Sequence, residues 1–493
     1  MFLFFVTVLL TLSYLWLKNR YSYWERLGVP GPKPVYLFGN LLKQLTFQEH
    51  ISTANKRWHR TYNNVPYLGF YKMLQPAVMI RDPELQREIL VRAFMNFDEN
   101  DATVDDSDEL IKANPFILSG DEWRHSRAMF GASFSANKIK IVFPAMLKVA
   151  NEWEQYVRSL GMNTEIDAKD ICSRFTTETV LRCIFSIDGK SFERQSEFLD
   201  MGKSVFHPDI ITAMVSVITF FIPGIRKFMN ISMVPKSMQR RFTEMIREQT
   251  KMRDSGSVQC EDVLQFVLND RDKYQMKETD ITGICMGSFI EMYETTANVL
   301  ALAFYTLAKN PHIQDELARC IQESLEANNN EVTHDLIYKH EYLDKVTTEC
   351  MRIQPVSFGM QKLCTKDFTM PLLPGQSEPT TIPAGTSVLI PFATVQQDPT
   401  YFPDPDYFDP ERFSPEQKAQ RHKNAHMPFS DGPRMCVGVH QALFNVKMGL
   451  FQMIRSFDVK LHPNNKPFKV HPMTFDNIPQ DGIKLILTPR EAI

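Results

Sequence analysis

A chain of 493 residues, 43% hydrophobic and 23% charged, can bury a sizeable core, and its formal net charge of −3 gives no support to nucleic-acid binding. Its eight cysteines, at positions 172, 183, 260, 285, 320, 350, 364 and 436, are scattered without a C-x-x-C spacing, which argues against a zinc site or disulfide framework and suits a reducing compartment. No Pro/Gly/Ser-rich linker and no internal repeat divides the chain, so one large domain is expected despite its length.

Met1 to Leu17 carries no charge, is rich in Leu, Phe and Val, and is followed by Lys18 and Arg20. About 17 apolar residues just suffice to span a bilayer, and cations immediately after the span favour a cytosolic location for the rest. A cleaved signal peptide would begin basic and end on small residues, and neither feature is present. Gly28-Val29-Pro30-Gly31-Pro32-Lys33-Pro34 then predicts a stiff, non-helical exit. The expected division is an anchor over 1–20, a proline-rich hinge over 21–34 and a catalytic domain over 35–493.

Val65 to Ile80 reads as a small hairpin broken near Gln75-Pro76, with a helix after Arg81-Asp82-Pro83. Asp101 to Asn114 is acidic and unpatterned, which predicts a surface loop. In the next helix Trp123 and Arg127 lie four apart, so an indole N–H and a guanidinium could reach one anion. The alternative is a surface aromatic beside an unrelated cation. Val205 to Val234 is unusually apolar and reads either as core helix or as an apolar lid.

Thr279 to Asn310 contains no proline and stops at Pro311, which predicts a helix of roughly 30 residues, about 45 Å long. It is apolar on most sides, but Glu291, Glu294, Thr295 and Asn298 turn one face polar for about two turns. Phe289, Ile290, Val299, Leu300 and Leu302 enclose that patch, and buried acids are costly unless something uses them. Further on, Glu349 and Arg352 lie three apart on a helix ending at Pro355, and Pro410-Glu411-Arg412-Phe413 follows a hairpin around Pro383-Ala384-Gly385. An exposed pair at that spacing would contribute only a few tenths of a kcal/mol. Lys418, Arg421, His422 and Lys423 form a basic cluster that is either a solvated loop or a surface for an acidic partner.

The stretch Phe429-Ser430-Asp431-Gly432-Pro433-Arg434-Met435-Cys436-Val437-Gly438 precedes Val439, Leu443, Val446, Leu450 and Ile454 at helical spacing, so a tight loop delivers Cys436 to a helix N-terminus. Free N–H groups and the positive end of the dipole there favour S⁻ over SH. Gly432 and Gly438 are expected to let the backbone approach a flat ligand. A single thiolate suits one-point axial ligation of haem iron. A buried structural cysteine is the alternative.

Taken together, Phe429, Gly432, Arg434, Cys436 and Gly438 match the F-x-x-G-x-R-x-C-x-G pattern of the cytochrome P-450 family, which this chain resembles from anchor to C-terminus. The resemblance is nearest the microsomal animal type that includes insect detoxification and vertebrate drug-metabolising members. It implies a mainly α fold, a large helical domain with small β-sheets, holding haem b between the long central helix and the helix after the cysteine loop. Cys436 would be the iron ligand, and Arg434, Trp123, Arg127 and Lys362, the last in place of the usual arginine, would meet the haem propionates. Phe429 would pack beside the sulfur, while Glu349, Arg352 and Arg412 would form a structural charge triad. Glu294-Thr295-Thr296 is similar to the acid-alcohol centre of the family's long helix, which implies proton delivery by Thr295 and Glu294. Glu291 and Met292 depart from the small residue and glycine usual there, which could narrow the groove. In the fatty-acid-hydroxylating branch a glutamate at the place of Glu291 is esterified to the haem, which implies the same option here.

The resemblance further implies a monooxygenase acting on a lipophilic small molecule, with Phe289, Ile290, Tyr293, Val356 to Phe358 and Ile478 as substrate contacts. Electrons would come from NADPH through NADPH–cytochrome P-450 reductase, with cytochrome b5 as a further donor, at the cytosolic face of the endoplasmic reticulum membrane. Two other classes stay open: a haem-thiolate isomerase or dehydratase, and a non-catalytic lipophile-binding protein.

Overall fold

Apolar residues recurring at helical spacing become helices through most of the chain, and the sheets are small. The computed structural model describes residues 1–102, 108–134, 136–161, 163–206, 214–215, 218–219, 232, 234–474 and 476–490. Most of the apolar stretch from Val205 to Val234 lies outside the described residues.

Helix α1 (Phe2–Tyr21) has 20 residues, none of them buried, and is long and apolar enough to cross a membrane. The proline-rich stretch that follows is fastened to the first strand. Trp24 is buried and its indole N–H donates to the Phe70 carbonyl at 3.0 Å, while the Gly69 N–H donates to Pro30 at 2.9 Å. A Cβ on Gly31 would lie 1.9 Å from the Gly69 carbonyl oxygen, so only glycine permits this approach.

The predicted hairpin forms from β1 (Tyr67–Lys72) and β2 (Gln75–Ile80), but its turn is at Met73-Leu74, where Met73 takes φ 54°. Asp82 caps the following short helix, its carboxylate accepting from the Leu85 N–H at 2.8 Å. With β3 (Glu99–Asn100), β4 (Met360–Leu363) and β5 (Ser387–Ile390) these strands make a five-stranded sheet in the order β1-β2-β5-β4-β3. Ile166–Asp167, Phe457–Leu461 and Lys484–Pro489 make a second, three-stranded sheet.

The stretch Asp101–Asn114 departs from the expected surface loop. Residues 103–107 are outside the described set, but Asp108, Leu110, Ile111 and Asn114 are buried. The acidic composition obscured the apolar pair Leu110-Ile111, which docks on the long helix where a Cβ on Gly283 would come within 2.8 Å of the Leu110 carbonyl.

The remaining helices that build the site are α2 (Gly120–Ser133), α3 (Ala136–Ser159), α4 (Ala168–Phe185), α5 (Glu278–Lys309), α6 (Glu341–Ile353) and α7 (Val439–Ser456). Trp153 of α3 stacks on Phe175 of α4 at 4.4 Å, and Phe304 of α5 completes that cluster at 6.3 Å. Gly449 of α7 meets Leu300 of α5 so closely that a Cβ would lie 2.8 Å from its methyl carbon. Each large apolar side chain buried this way contributes about 1.5–3 kcal/mol, and together they seat α5 through the centre of the protein. Glu349 and Arg352 of α6, which would have counted for little at the surface, are fully buried and joined by two bonds, Nε to Oε2 at 2.6 Å and Nη2 to Oε1 at 2.8 Å. Arg352 also donates to the carbonyls of Gln396, Pro405 and Tyr407, and Arg412 Nε lies 3.6 Å from Glu349 Oε1.

Candidate functional site

The cysteine loop is closed by its own backbone. The Cys436 N–H donates to the Phe429 carbonyl at 2.9 Å and the Met435 N–H to Gly432 at 3.1 Å, with Ser430 at φ 65° and Gly432 at φ 77°. The two glycines differ in purpose. A Cβ on Gly432 would stand 2.1 Å from the Leu90 carbonyl oxygen, so this glycine serves the turn and its contact with the 88–92 segment. A Cβ on Gly438, at the start of α7, would meet nothing within 4 Å, so open space adjoins the loop beside Cys436. Gly432→Ala is therefore expected to destabilise the loop by roughly 2–4 kcal/mol, from left-handed strain plus overpacking. Thermal unfolding of the variant against Gly438→Ala checks this, since the second change meets no such clash.

Cys436 is exposed two residues from the buried Arg434, and the long helix shows an exposed stripe. On α5, otherwise largely buried, Glu291 and Thr295 are exposed one turn apart, and the Thr295 hydroxyl donates to the Glu291 carbonyl at 2.5 Å. Arg127 of α2 faces the same space, near enough that its charge and those of Cys436 and Glu291 act on one another. Burial pushes the Cys436 thiol up to about 11 and the Glu291 charge adds to this, against the Gly438 N–H and Arg127. Burial and Glu291 thus oppose the expected thiolate, while the Gly438 N–H and Arg127 favour it. Burial likewise raises Glu291, opposed by a hydrogen bond from the Asn114 amide at 2.6 Å and by Arg127.

Two buried cations, Arg434 and Lys362, lie near one another and near the half-buried Arg127. Arg434 lies over the Trp123 ring at 4.5 Å and donates to the carbonyls of Asp98, Pro115 and Leu118, the last two at 2.9 and 2.6 Å. Lys362 on β4 is buried and donates to Asn100 Oδ1 at 2.8 Å. Burial pulls Lys362 down to about 7 with Arg434 adding to the effect, and pulls Arg434 down to about 10 against the attraction of Asp98 and Glu99, with Arg127 again lowering it. Neighbouring like charges of this kind, two of them buried, are relieved by an anion.

Glu294 is not in that group. Adjacent residues on a helix point about 100° apart, and Glu294 is turned from the exposed stripe to pair with Lys169 of α4, Nζ to Oε2 at 2.8 Å. The single polar face expected on α5 is therefore divided along its length. Met292 is buried in the core cluster with Phe289 and Ile284, so its thioether is not exposed beside Thr295.

Of the expected substrate contacts, Phe289, Tyr293 and Phe358 are buried, while Ile290, Val356, Ser357 and Ile478 are half-buried. Phe289 and Tyr293 are fully buried and stacked at 5.9 Å, and Tyr293 lies where a Cβ on Gly202 would come within 2.7 Å. Half of the basic cluster is engaged: Arg421 stacks on Phe402 at 4.2 Å, and His422 pairs with the half-exposed Glu84 at 2.8 Å. Lys418 and Lys423 are exposed, with Asp344 and Asp431 at 4.0 and 3.9 Å. Asn114, Lys169 and Asp476 escaped the sequence reading, since no local pattern marks contacts across 125 to 178 positions.

Comparison with known proteins adds to this geometry. The sequence model of the family described as cytochrome P450 matches residues 29–485. The chain is 30% identical over 481 residues to "Probable cytochrome P450 6a13" of Drosophila melanogaster, covering 96% of each. It is 29% identical to "Cytochrome P450 6l1" of Blattella germanica, over 95% of this chain and 92% of that one. With "Cytochrome P450 6B1" of Papilio polyxenes it shares 29% identity over 98% and 99%.

Proposed function

The chain belongs to the cytochrome P450 family of oxygen-incorporating monooxygenases, and from that premise we propose that it oxygenates a lipophilic small molecule with electrons from NADPH delivered by a reductase. The observation that carries the reading is one cysteine, with open space beside it at Gly438, close to the half-buried Arg127, whose charge also acts on the buried Arg434 and through it reaches Lys362. Among the described residues there is no group of three or more His, Cys, Asp and Glu able to hold a metal. An iron bound at Cys436 would bring further ligands of its own if it is carried by haem b, the cofactor the family implies. The clearance at Gly438 and the cations Arg127, Arg434 and Lys362, with Trp123, fit a flat ligand bearing two carboxylates. When bound, haem supplies activation of O2, one atom entering a C–H or C=C bond and the other leaving as water.

The chain's own residues then have these roles. Cys436 is the ligand, and Phe429 holds its loop by accepting the Cys436 N–H. Thr295 presents a hydroxyl to the cavity that can give and take a proton at Oγ1, and Glu294, held by Lys169, is the nearby store of charge. Helix α1 supports anchoring in the endoplasmic reticulum membrane with the domain in the cytosol, where NADPH–cytochrome P450 reductase and cytochrome b5 would serve as donors.

The test is a reduced-CO spectrum of the purified protein, followed by NADPH and O2 consumption with reductase across a panel of lipophiles. Bound haem without oxygenated product from any of them would count against the proposal. Within that assay Thr295→Val is expected to retain haem while product formed per NADPH falls by on the order of 10²-fold, the usual scale for a lost proton donor.

A further inference from the structure

Glu294 and Lys169 are two members of a cluster of four. The Asn298 amide nitrogen lies 3.2 Å from Glu294 Oε1 and 3.1 Å from Asp476 Oδ2, so one NH2 group donates to two carboxyl groups. The Asn298 oxygen accepts from Lys169 Nζ at 2.7 Å, and the same ammonium lies 2.8 Å from Glu294 Oε2. Glu294 and Asn298 are buried at 2% exposure each. Asp476 has no ion-pair partner among the described residues, and the charged groups that face it are Glu294 from α5 and Lys169 from α4. The Tyr293 phenol, raised by burial and by Glu294, stands beside Lys169 as a neutral neighbour.

The charge count does not close with both acids ionised. Asp476 and Lys169 are half-buried, but two carboxylates and one ammonium would still leave a net negative charge against the buried Glu294 and Asn298, which is expensive. Lys169 is committed to Glu294, so the proton belongs on the acid without a cation. Burial, with the Glu294 charge adding, pushes Asp476 up to about 7 against Lys169 and the Asn298 hydrogen bond.

We propose that Asp476 is a positioning residue for the proton chemistry assigned to Glu294: it holds one proton at neutral pH, so that Lys169 alone balances the Glu294 carboxylate while Asn298 joins the two acids. When Asp476 ionises, the cluster gains a negative charge that Lys169 does not balance, and Asn298 and Lys169 are then drawn between two carboxylates instead of held on one. This rests on the monooxygenase reading for its chemistry, but the protonation itself is readable without turnover.

Infrared difference titration of the full-length holoprotein provides the test. Wild type should show a protonated-carboxyl stretch that disappears as pH rises through about 7, and Asp476→Asn should lack it. Lys169→Met should move the loss to higher pH, because the cation that favours ionisation is gone. Linkage supplies a second readout. The native state keeps a proton that the unfolded chain, at an ordinary 3.8, has released, so this group's contribution to stability declines as pH rises from that value to about 7. Asp476→Asn should therefore unfold at a higher temperature than wild type, by a margin that grows across this window and levels off above it. Product per NADPH should fall above the same pH in wild type and stay flat in the variant. A wild-type protein with no carboxyl titrating near neutrality, a band that survives in Asp476→Asn, or an Asn variant less stable than wild type at neutral pH would each overturn the proposal. The titration without any oxygenated product would support the shared proton and overturn the catalytic role resting on it.

Discussion

Cys436→Ala is expected to reduce oxygenated product to background and to remove the thiolate-type reduced-CO spectrum, while the protein still folds. The two halves of this result have separate causes. Cys436 is exposed and belongs to no core cluster, so losing its sulfur creates no cavity, and the cost in stability should stay within about 0.5 kcal/mol. Its loop is closed by the Cys436 N–H and the Phe429 carbonyl, which alanine keeps. The chemistry has no substitute, because no other metal-holding group exists among the described residues. Thermal unfolding beside the reduced-CO spectrum separates the effects. A variant that kept the wild-type spectrum would remove the basis of the functional reading.

Arg352→Met should be the most damaging substitution outside the cavity, costing about 3–5 kcal/mol because it leaves a fully buried carboxylate without its cation. Burial already raises Glu349, and Arg352, the Asp409 N–H and Arg412 hold it back. Removing Arg352 also leaves the carbonyls of Gln396, Pro405 and Tyr407 without that donor, loosening the chain that leads to the cysteine loop. Denaturant unfolding should show the loss, and Glu349→Gln in the same chain should restore part of it by removing the stranded charge. If the single variant unfolded like wild type, the ion pair would not be supporting the loop.

Features encoded in consecutive residues were legible from the sequence. The cysteine loop depends on Ser430 and Gly432 at positive φ and on apolar residues repeating after Gly438, all within one short stretch. The long helix was legible because Thr279 to Asn310 contains no breaker, and the β1–β2 hairpin because its strands adjoin. Legibility ended where partners come from far away. In the basic run at 418–423, Lys418 and Lys423 are exposed as either reading required, but the pairing of His422 with Glu84 joins positions too distant for any local pattern to mark. Asp101–Asn114 looked solvated because its acids outnumber the apolar pair that docks it.

By itself, then, the sequence determined a mainly helical chain with an apolar N-terminal helix, a cysteine at the mouth of a helix and a long central helix carrying acids and a threonine. Only the tertiary structure decided that Glu291 and Thr295 are exposed while Glu294 and Asn298 look toward Lys169 and Asp476, and that Glu291 and Arg127 act on Cys436 with opposite sign. Helical periodicity states which side chains share a face. Whether that face meets open space, a cation or a second acid depends on segments that folding brings from more than a hundred residues away, and those neighbours set each group's desolvation and charge.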